Sequence, residues 1–538
     1  MRWISVSLFC LLACVDVTAD EGEGVSELPE VDGAYVEFNP NSRVIPLPNN
    51  LIRDQTTGKL AIPEACDETP ADTTFRQLIL NALDGFGTYR PALQLTLSEA
   101  VDPVTLDANI KIYRRATRGQ QVSPADAVEI PFVAIPGSLT RTAPDCQSEA
   151  TVVSVTIVPL VALEGNSTYV VAVLDGLTND TGTAFIPSVT WNLVRQAISP
   201  VDVVDGEVVA ENTPFDPTVP EDRAALLGLD VLWRAHERAL VFLDGTGLTR
   251  EQVLLAWDFN TQTTTTPLDD TINGSLADGL PTAPLSGSTS IVPDGLDAAT
   301  VLEAQLGAAT CALVGCAAVG DIVASQLVAP SYQLPQLLFG TTIPGPWPDP
   351  LEPDLIANNP IPILSIVPAT PAPAGGYPTI VFAHGLTQNK EVVFAVGPQL
   401  AALGFATVAL DLVNHGDRAI QYRSEAELGC SGDPVQLDAP QCFAPFFSPD
   451  LPTTRDNFRQ SALDILALVK ALKECSGTAC GSLEVDPSAL GYLGLGLGGL
   501  VGGVAVPMTP DIKAAALNTA GVGLVDLFEN TDSLQIRC

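Results

Sequence analysis

The amino-acid sequence predicts an α/β fold with a parallel sheet in residues 376–538, preceded by a β-sandwich-like module in residues 36–200. In the C-terminal part, short apolar strands alternate with longer helical segments, a pattern typical of parallel α/β sheets. The predicted elements there are the strand Thr379–Ala383, a helix over Glu391–Leu403, the strand Phe405–Leu410, a helix over Arg455–Lys473 and the strand Ala489–Gly494.

The N-terminal module is predicted from short segments in which apolar and polar residues alternate, because that period places one face of a strand in a core. Such strands at close spacing are typical of a β-sandwich. Residues 201–375 change character and are expected to form a helical and irregular connecting region. The expected strands of the module are Ala92–Leu97, Ile110–Tyr113, Thr151–Leu160 and Tyr169–Leu174.

The last predicted strand leads into a glycine-rich run, Tyr492–Gly502, with the sequence Y-L-G-L-G-L-G-G-L-V-G. It has the outline of a nucleophile elbow, the strand–turn–helix in which G-x-S-x-G lifts a serine above a sheet. The flanking glycines are Gly494 and Gly498. The central position is Gly496, which has no hydroxyl to attack a carbonyl carbon. The alternative is an ordinary strand–helix turn that uses glycine for close backbone approach.

The N-terminus predicts export. Residues 1–13 combine an early arginine with an apolar run, as signal peptides do, and Leu11–Cys14 resembles a bacterial lipobox that is cut before Cys14 for lipidation. Residues 14–35 are expected to form an acidic tether. We therefore expect an outer-membrane or cell-surface lipoprotein with a membrane contact through the lipid on Cys14. The alternative is an ordinary secretory signal.

Composition limits the possible partners. The net charge of -38 argues against nucleic acid, because binding phosphates requires basic patches. With 46% hydrophobic and 16% charged residues, the chain is expected to fold rather than remain disordered. No cofactor is expected, and the sequence does not indicate an oligomeric state.

The cysteines outside the leader are expected to form disulfides, because an exported chain meets oxidising conditions. Zinc binding is the alternative, although no histidine lies near any pair. Cys538 is left over. The candidate pairs are Cys66–Cys146, Cys311–Cys316, Cys430–Cys442 and Cys475–Cys480.

Several segments together resemble the α/β-hydrolase fold and, more closely, the bacterial virulence-factor lipases, a group of extracellular lipases and surface lysophospholipases. The resemblance implies hydrolysis of carboxylic esters in lipids through an acyl-enzyme. It also implies oxyanion-hole N–H groups from Leu386, which follows His384-Gly385, and from Leu497, which follows the nucleophile position. The matching segments are I-P-L-P-N-N-L (45–51), L-N-A-L-D-G-F-G-T (80–88), F-A-H-G-L (382–386), D-L-V-N-H-G-D-R (411–418), R-D-N-F-R-Q-S-A-L-D (455–464) and Y-L-G-L-G-L-G-G (492–499).

The chain departs from this family at the catalytic triad. Gly496 replaces the serine, and the histidines all precede the elbow, whereas the order in this fold is Ser, Asp or Glu, then His. We expect His384 and His415 to order their loops and His236 to lie on the surface. Asp526 and Glu529 are expected to be surface carboxylates.

These departures predict little or no catalysis by this chain, because loss of serine or histidine alone removes most of the rate in such a unit. We also expect the segment after the elbow to be too short to complete the sheet. Two other interpretations remain open. The chain could be a non-catalytic surface protein that binds a lipid or a partner, or a fragment of a split hydrolase.

Overall fold

The structure is a computed structural model that describes residues 32–204, 207–423 and 442–521. It divides into two compact units, an N-terminal unit, Met1–Thr264, and a C-terminal unit, Thr265–Cys538. The leader, Cys14 and most of the tether lie outside the described residues, as do Cys430, Asp526, Glu529 and Cys538. The predictions made for those residues stay predictions.

The N-terminal unit is mainly β-structure with one long helix. Its strands are β1 (Tyr35–Val36), β2 (Leu93–Leu97), β3 (Ile110–Thr117), β4 (Gln120–Gln121), β5 (Phe132–Thr142), β6 (Glu149–Pro159), β7 (Ser167–Leu174), β8 (Ile186–Pro187), β9 (Val201–Val204), β10 (Glu207–Ala210) and β11 (Val253–Asn260). Its helices are α1 (Pro70–Leu78), α2 (Leu106–Asn109), α3 (Val189–Val194) and α4 (Pro220–Gly245).

Two larger sheets, in the orders β5-β6-β2-β1-β8 and β11-β7-β3-β4, contribute to one hydrophobic core in this unit. All eight residues of β7 are buried, as expected of a central strand made of apolar and β-branched residues. The four strands predicted from alternation are present as β2, β3, β6 and β7. The sandwich class stays a prediction.

The boundary between the two units, at Thr264 and Thr265, lies within the predicted connecting region, residues 201–375. Its first part belongs to the N-terminal unit, because β11 pairs along its length with β7, from Val253↔Leu174 to Asn260↔Thr168. This first part contains a 26-residue helix, α4. After α4, the residues Arg250–Gln252 form a single 3-10 turn that leads into β11.

The C-terminal unit contains a seven-stranded sheet covered by helices. Its strands are β12 (Ser286–Ser290), β13 (Val319–Ser331), β14 (Pro335–Leu338), β15 (Thr341–Pro344), β16 (Ala357–Pro368), β17 (Tyr377–Ala383), β18 (Ala406–Leu410), β19 (Val485–Leu495) and β20 (Ile512–Asn518). Its helices are α5 (Ala298–Leu306), α6 (Ala308–Val314), α7 (Val393–Ala401), α8 (Leu451–Lys473) and α9 (Leu497–Ala505).

The sheet has the order β12-β13-β16-β18-β17-β19-β20 and is mixed, which corrects the predicted parallel sheet. Strands β18, β17, β19 and β20 run parallel, whereas β12, β13 and β16 pair antiparallel. Strand β16 was not predicted from the sequence, because Pro360 and Pro362 interrupt its apolar pattern. These prolines are tolerated because β18 pairs with β16 only from Ile363 onward, which leaves this part of β16 as an edge.

Helix α8 is the most buried helix of this unit, and its apolar residues join those of β17, β18, β19 and α9 in one core. Three predicted cysteine pairs are disulfides in the structure. Cys442 is also disulfide-bonded, but its predicted partner is not among the described residues. Within the described ranges, no helix is long and apolar enough to cross a membrane. The three disulfides are Cys66–Cys146, Cys311–Cys316 and Cys475–Cys480.

Candidate active site

The glycine-rich run forms a sharp strand–turn–helix. Strand β19 ends at Leu495, Gly496 stands at the apex, and α9 begins at Leu497. The backbone angles of Gly496 are φ 50° and ψ -109°, outside the regions that L-residues adopt without strain. This is the strained turn that raises the nucleophile above the sheet in α/β hydrolases. The elbow is therefore formed although no hydroxyl occupies its apex.

The flanking glycines are required by close backbone contacts. A Cβ on Gly494 would lie 2.3 Å from the carbonyl oxygen of Gly498, and a Cβ on Gly498 would lie 2.2 Å from that of Ala383. A Cβ on Gly496, by contrast, would lie 3.7 Å from Gly385 Cα, an ordinary contact distance. The packing thus imposes glycine on both sides of the apex and leaves room for a side chain at the apex itself.

The two N–H groups expected to form an oxyanion hole lie in adjoining turns. Leu497 is the first residue of α9, so its N–H has no acceptor within the helix. Leu386 lies in a tight turn closed by Gln388, whose N–H donates to the Gly385 carbonyl at 3.2 Å and whose Oε1 accepts from Gly385 N–H at 2.9 Å. No hydrogen bond from Leu386 N–H or Leu497 N–H to another described residue is observed.

His384 holds the turn before Leu386 in place. Its ring is fully buried and uses both nitrogens on the backbone: Nδ1 lies 2.8 Å from the Gly385 carbonyl, and Nε2 accepts from Leu412 N–H at 3.1 Å. Burial lowers the pKa of His384 to about 4. With neither nitrogen available to a substrate, His384 cannot act as the general base.

A buried ion pair links Lys390, in the 3-10 turn before α7, to Asp411, which directly follows β18. The Asp411 carboxylate is fully buried and accepts from Lys390 N–H at 2.7 Å, Lys390 Nζ at 3.0 Å and Asp417 N–H at 3.0 Å. It fills the space beside Gly416, where a Cβ would lie 2.2 Å from Asp411 Oδ1. The D-L-V-N-H-G-D-R segment thereby supports the turn that carries Leu386.

His415 packs against His384 with 5.1 Å between ring centroids, and its Nδ1 lies 2.9 Å from the Val413 carbonyl. Burial lowers its pKa to about 4, which makes it a weak base near neutral pH. His236 is buried, which corrects the predicted surface position. It lies in the N-terminal unit between the rings of Phe38 and Trp191, because it occupies the inner face of α4.

Thr519 is a residue at this site that the sequence did not indicate. It directly follows β20, and its Oγ1 accepts from Gly496 N–H at 3.2 Å. A Cβ on Gly496 would lie 4.0 Å from the same oxygen. The φ of Thr519 is 51°, a conformation that is rare for β-branched residues. The sequence offers one signal for Thr519, its position directly after a strand. Many residues share that position, so the signal does not distinguish Thr519 from them.

The motifs of the N-terminal unit have structural roles. Asn50 Nδ2 donates to Asp258 Oδ1 at 2.9 Å, and Asp84 Oδ1 accepts from Thr263 N–H at 2.8 Å. Gly85 approaches β11 so closely that a Cβ there would lie 2.6 Å from the Asn260 carbonyl oxygen. The loops that contain L-P-N-N-L and N-A-L-D-G are therefore held against β11 and the residues that directly follow it.

In the described part of the chain, the elbow offers backbone donors but no attacking group at its apex, and the nearby Thr519 hydroxyl has no neighbouring base. The apex has no side chain, and neither histidine near it combines a free ring nitrogen with a pKa close to neutrality. Among residues 32–204, 207–423 and 442–521, no group of three or more His, Cys, Asp or Glu side chains could hold a metal ion. This geometry can bind a carbonyl oxygen, but it does not supply the step that forms an acyl-enzyme.

Solved structures similar to this chain are hydrolases. A cold-adapted esterase from an Arctic intertidal metagenomic library is 18% identical, covering 36% of this chain and 59% of its own, with a TM-score of 0.20. Acetyl xylan esterase 1 from Thermoanaerobacterium sp. is 17% identical, covering 38% and 61%, with a TM-score of 0.22. The 2,6-dihydroxy-pseudo-oxynicotine hydrolase is 18% identical, covering 28% and 31%, with a TM-score of 0.18.

This chain thus spans less than two thirds of the length of these structures, and at these TM-scores the likeness supports no conclusion about function. No protein-family model matches the chain, and a search of curated proteins finds no match. The strand order and the elbow define the class: the C-terminal unit has an α/β-hydrolase-like fold.

Proposed function

We propose that this protein is a lipase-like relative of ester hydrolases that binds a lipid ester or a related ligand at the elbow without hydrolysing it. The observation that carries this proposal is the glycine at the apex of an otherwise complete elbow. The carbonyl oxygen of a bound ester would accept from Leu386 N–H and Leu497 N–H, which hydrolases use to stabilise the oxyanion. Without a hydroxyl at position 496, no tetrahedral intermediate forms on the protein.

Binding can be tested through one oxyanion N–H. Proline is tolerated at the first position of a helix, so Leu497→Pro removes the donor while α9 can still form. Leu497→Ala is the matched control, because it loses the same buried side chain but keeps the N–H. With 1-monolauroylglycerol as the probe, we expect the proline variant to bind about 2- to 10-fold more weakly than the alanine variant. Equal affinity of the two variants would show that Leu497 N–H does not take part in binding the ligand.

We also propose kinship with the virulence-factor lipases and attachment to the outer membrane or cell surface through Cys14. Support comes from the motifs shared across both units and from the lipobox-like leader. Mass spectrometry of the chain expressed in a Gram-negative host tests the attachment. We expect a mature N-terminus at Cys14 that carries acyl chains, and a free N-terminus at another residue would exclude it.

The exposure of β20 favours a second candidate, a hydrolase completed by a further chain segment. Six of the seven residues of β20 are exposed, although strands of a parallel sheet are ordinarily covered on both faces. A segment that pairs with β20 and carries an aspartate and a histidine would supply two triad members. Gly496 would still lack the hydroxyl, so this candidate requires a nucleophile from elsewhere. Co-purification of such a segment, with ester turnover in the complex alone, would favour it over simple ligand binding.

A further inference from the structure

Strands β13 and β16 extend beyond the carboxyl ends of the parallel strands, on the same side of the sheet as the elbow. The last residue of β18, Leu410, pairs with Ile363, but pairing between β13 and β16 continues to Ser331 and Ala357. At a rise of about 3.3 Å per residue, this two-stranded ribbon reaches about 20 Å past the end of β18. The chain between its two ends contains the β14–β15 hairpin.

The turn of this hairpin places an aromatic residue in a conformation that aromatic residues rarely adopt. Leu338 pairs with Thr341, and the two residues between them, Phe339 and Gly340, have φ values of 50° and 84°. Positive φ at both positions is typical of a type I′ turn, in which asparagine, aspartate or glycine is preferred first. Phe339 is therefore strained, and strain retained at an exposed position suggests a function.

The hairpin exposes large apolar side chains at its end. Leu337 is 76% exposed and Phe339 is 67% exposed. We call these two residues the apolar tip. The two residues lie two positions apart and form one apolar surface at the end of the hairpin.

The charge pattern around the apolar tip fits a lipid surface. The segment from Ser331 to Pro348 contains no charged residue, within a chain of net charge -38. The guanidinium of Arg423 lies 4.1 Å from the centroid of the Phe339 ring, and Tyr422 stacks on that ring at 5.8 Å. Aromatic rings beside an arginine suit the boundary between water and lipid, where one end of the group is apolar and the other is hydrated. Because anionic lipid would repel the acidic chain, zwitterionic lipid fits best.

The base of the hairpin is fixed by buried hydrogen bonds to α8. Gln333 Nε2 donates to Asn457 Oδ1 at 2.7 Å, and Trp347 N–H donates to Asp456 Oδ2 at 2.9 Å. All four residues are buried. A rigid base presents the tip in one orientation, which reduces the entropy lost on binding.

We propose that the apolar tip inserts into the headgroup–acyl boundary of a zwitterionic lipid surface. This contact is separate from the lipid anchor predicted on Cys14, and it does not depend on ester binding at the elbow. Insertion of the tip would turn the elbow side of the C-terminal unit toward the lipid, because the ribbon that carries the tip projects from that side.

The test measures partition onto phosphatidylcholine vesicles by sedimentation, with residues 14–538 carrying Cys14→Ser so that neither the apolar leader nor a lipid anchor contributes. Phe339→Asn creates the preferred Asn-Gly turn, so the variant should be at least as stable as the parent. Combined with Leu337→Gln, we expect it to lower the partition coefficient about 10-fold or more. The control is Leu313→Gln. Leu313 is 85% exposed on α6, shortly before β13 begins at the end of the sheet opposite the elbow. This variant should partition as the parent does.

Three results would overturn the proposal. The first is a parent that does not partition onto the vesicles, and the second is a loss that Leu313→Gln shares equally. The third is a change of oligomeric state caused by the tip substitutions in sedimentation without vesicles, which would make the tip a contact between protein chains. A urea titration of each variant separates loss of folding from loss of lipid contact.

Discussion

Three single glycine-to-alanine substitutions around the elbow should have very different costs. In Gly498→Ala the new Cβ would lie 2.2 Å from the Ala383 carbonyl oxygen and 2.8 Å from that of His384. Because the crowded atoms belong to the backbone and cannot rotate away, we expect a loss of stability of about 3 kcal/mol or more. In Gly496→Ala the Cβ has room, and the cost is the strain of an L-residue at φ 50°, about 2 kcal/mol. Gly503 has no atom within 4 Å of its Cβ position and lies within α9, so alanine there should stabilise by up to about 1 kcal/mol.

Hydrogen–deuterium exchange of peptides from β19 and α9 gives the opening free energy of this region for each variant. The expected order of stability is Gly503→Ala, parent, Gly496→Ala, Gly498→Ala. The reasoning is refuted if Gly498→Ala is tolerated, because the close contact of the elbow with β17 would then be absent. A cost at Gly496 equal to that at Gly498 would equally show that the apex lacks room for a side chain, and the elbow assignment would fail.

Three further predictions concern stability. Burial keeps His384 and His415 neutral with pKa values of about 4, whereas unfolded histidines titrate near pH 6.5. The free energy of unfolding is therefore undiminished by these histidines above pH 6.5 and falls as the pH is lowered toward 4, by up to about 3 kcal/mol for each histidine. Urea titrations at a series of pH values should show a smaller fall in His415→Gln than in the parent. Asp411→Asn should destabilise by about 1–3 kcal/mol, because a buried amide cannot accept from Lys390 N–H, Lys390 Nζ and Asp417 N–H as the carboxylate does, although Lys390 Nζ keeps its ion pairs with Asp417 and Glu391; an unchanged urea midpoint would contradict this. The Cys66–Cys146 disulfide closes a loop with a sequence separation of 80, so replacing both cysteines by serine should cost about 4 kcal/mol in calorimetry, and a change under 1 kcal/mol would argue against it.

The sequence predicted the parts of the fold that depend on local pattern. The strands β2, β3, β6 and β7 follow from alternation, and β17, β18 and β19 from buried apolar runs. The elbow was predictable because its glycines stand at a spacing imposed by close backbone contact, which the structure places at Gly494 and Gly498. The pattern of each element is visible in a short window of sequence, although the contact that requires glycine at position 498 is with Ala383, in a distant segment.

The features that were missed depend on contacts between distant segments. Strand β16 was hidden because its prolines are allowed only where a neighbouring strand ends. His236 was assigned to the surface because its neighbours along α4 are charged, but its face of the helix is buried against Phe38 and Trp191. Lys390 and Asp411 are well apart in sequence, and Thr519 meets Gly496 only because β20 lies beside β19.

The central claim is that the apex of the elbow, Gly496, has no nucleophile. The most direct measurement is hydrolysis of p-nitrophenyl butyrate and p-nitrophenyl palmitate by the parent chain beside Gly496→Ala, with labelling by a fluorophosphonate probe in the same samples. We predict that the parent hydrolyses both esters no faster than Gly496→Ala and takes up no label, because neither chain has a hydroxyl at the apex. Ester turnover by the parent at a lipase-like rate, or covalent labelling of the parent, would contradict the account and show that another residue attacks the ester.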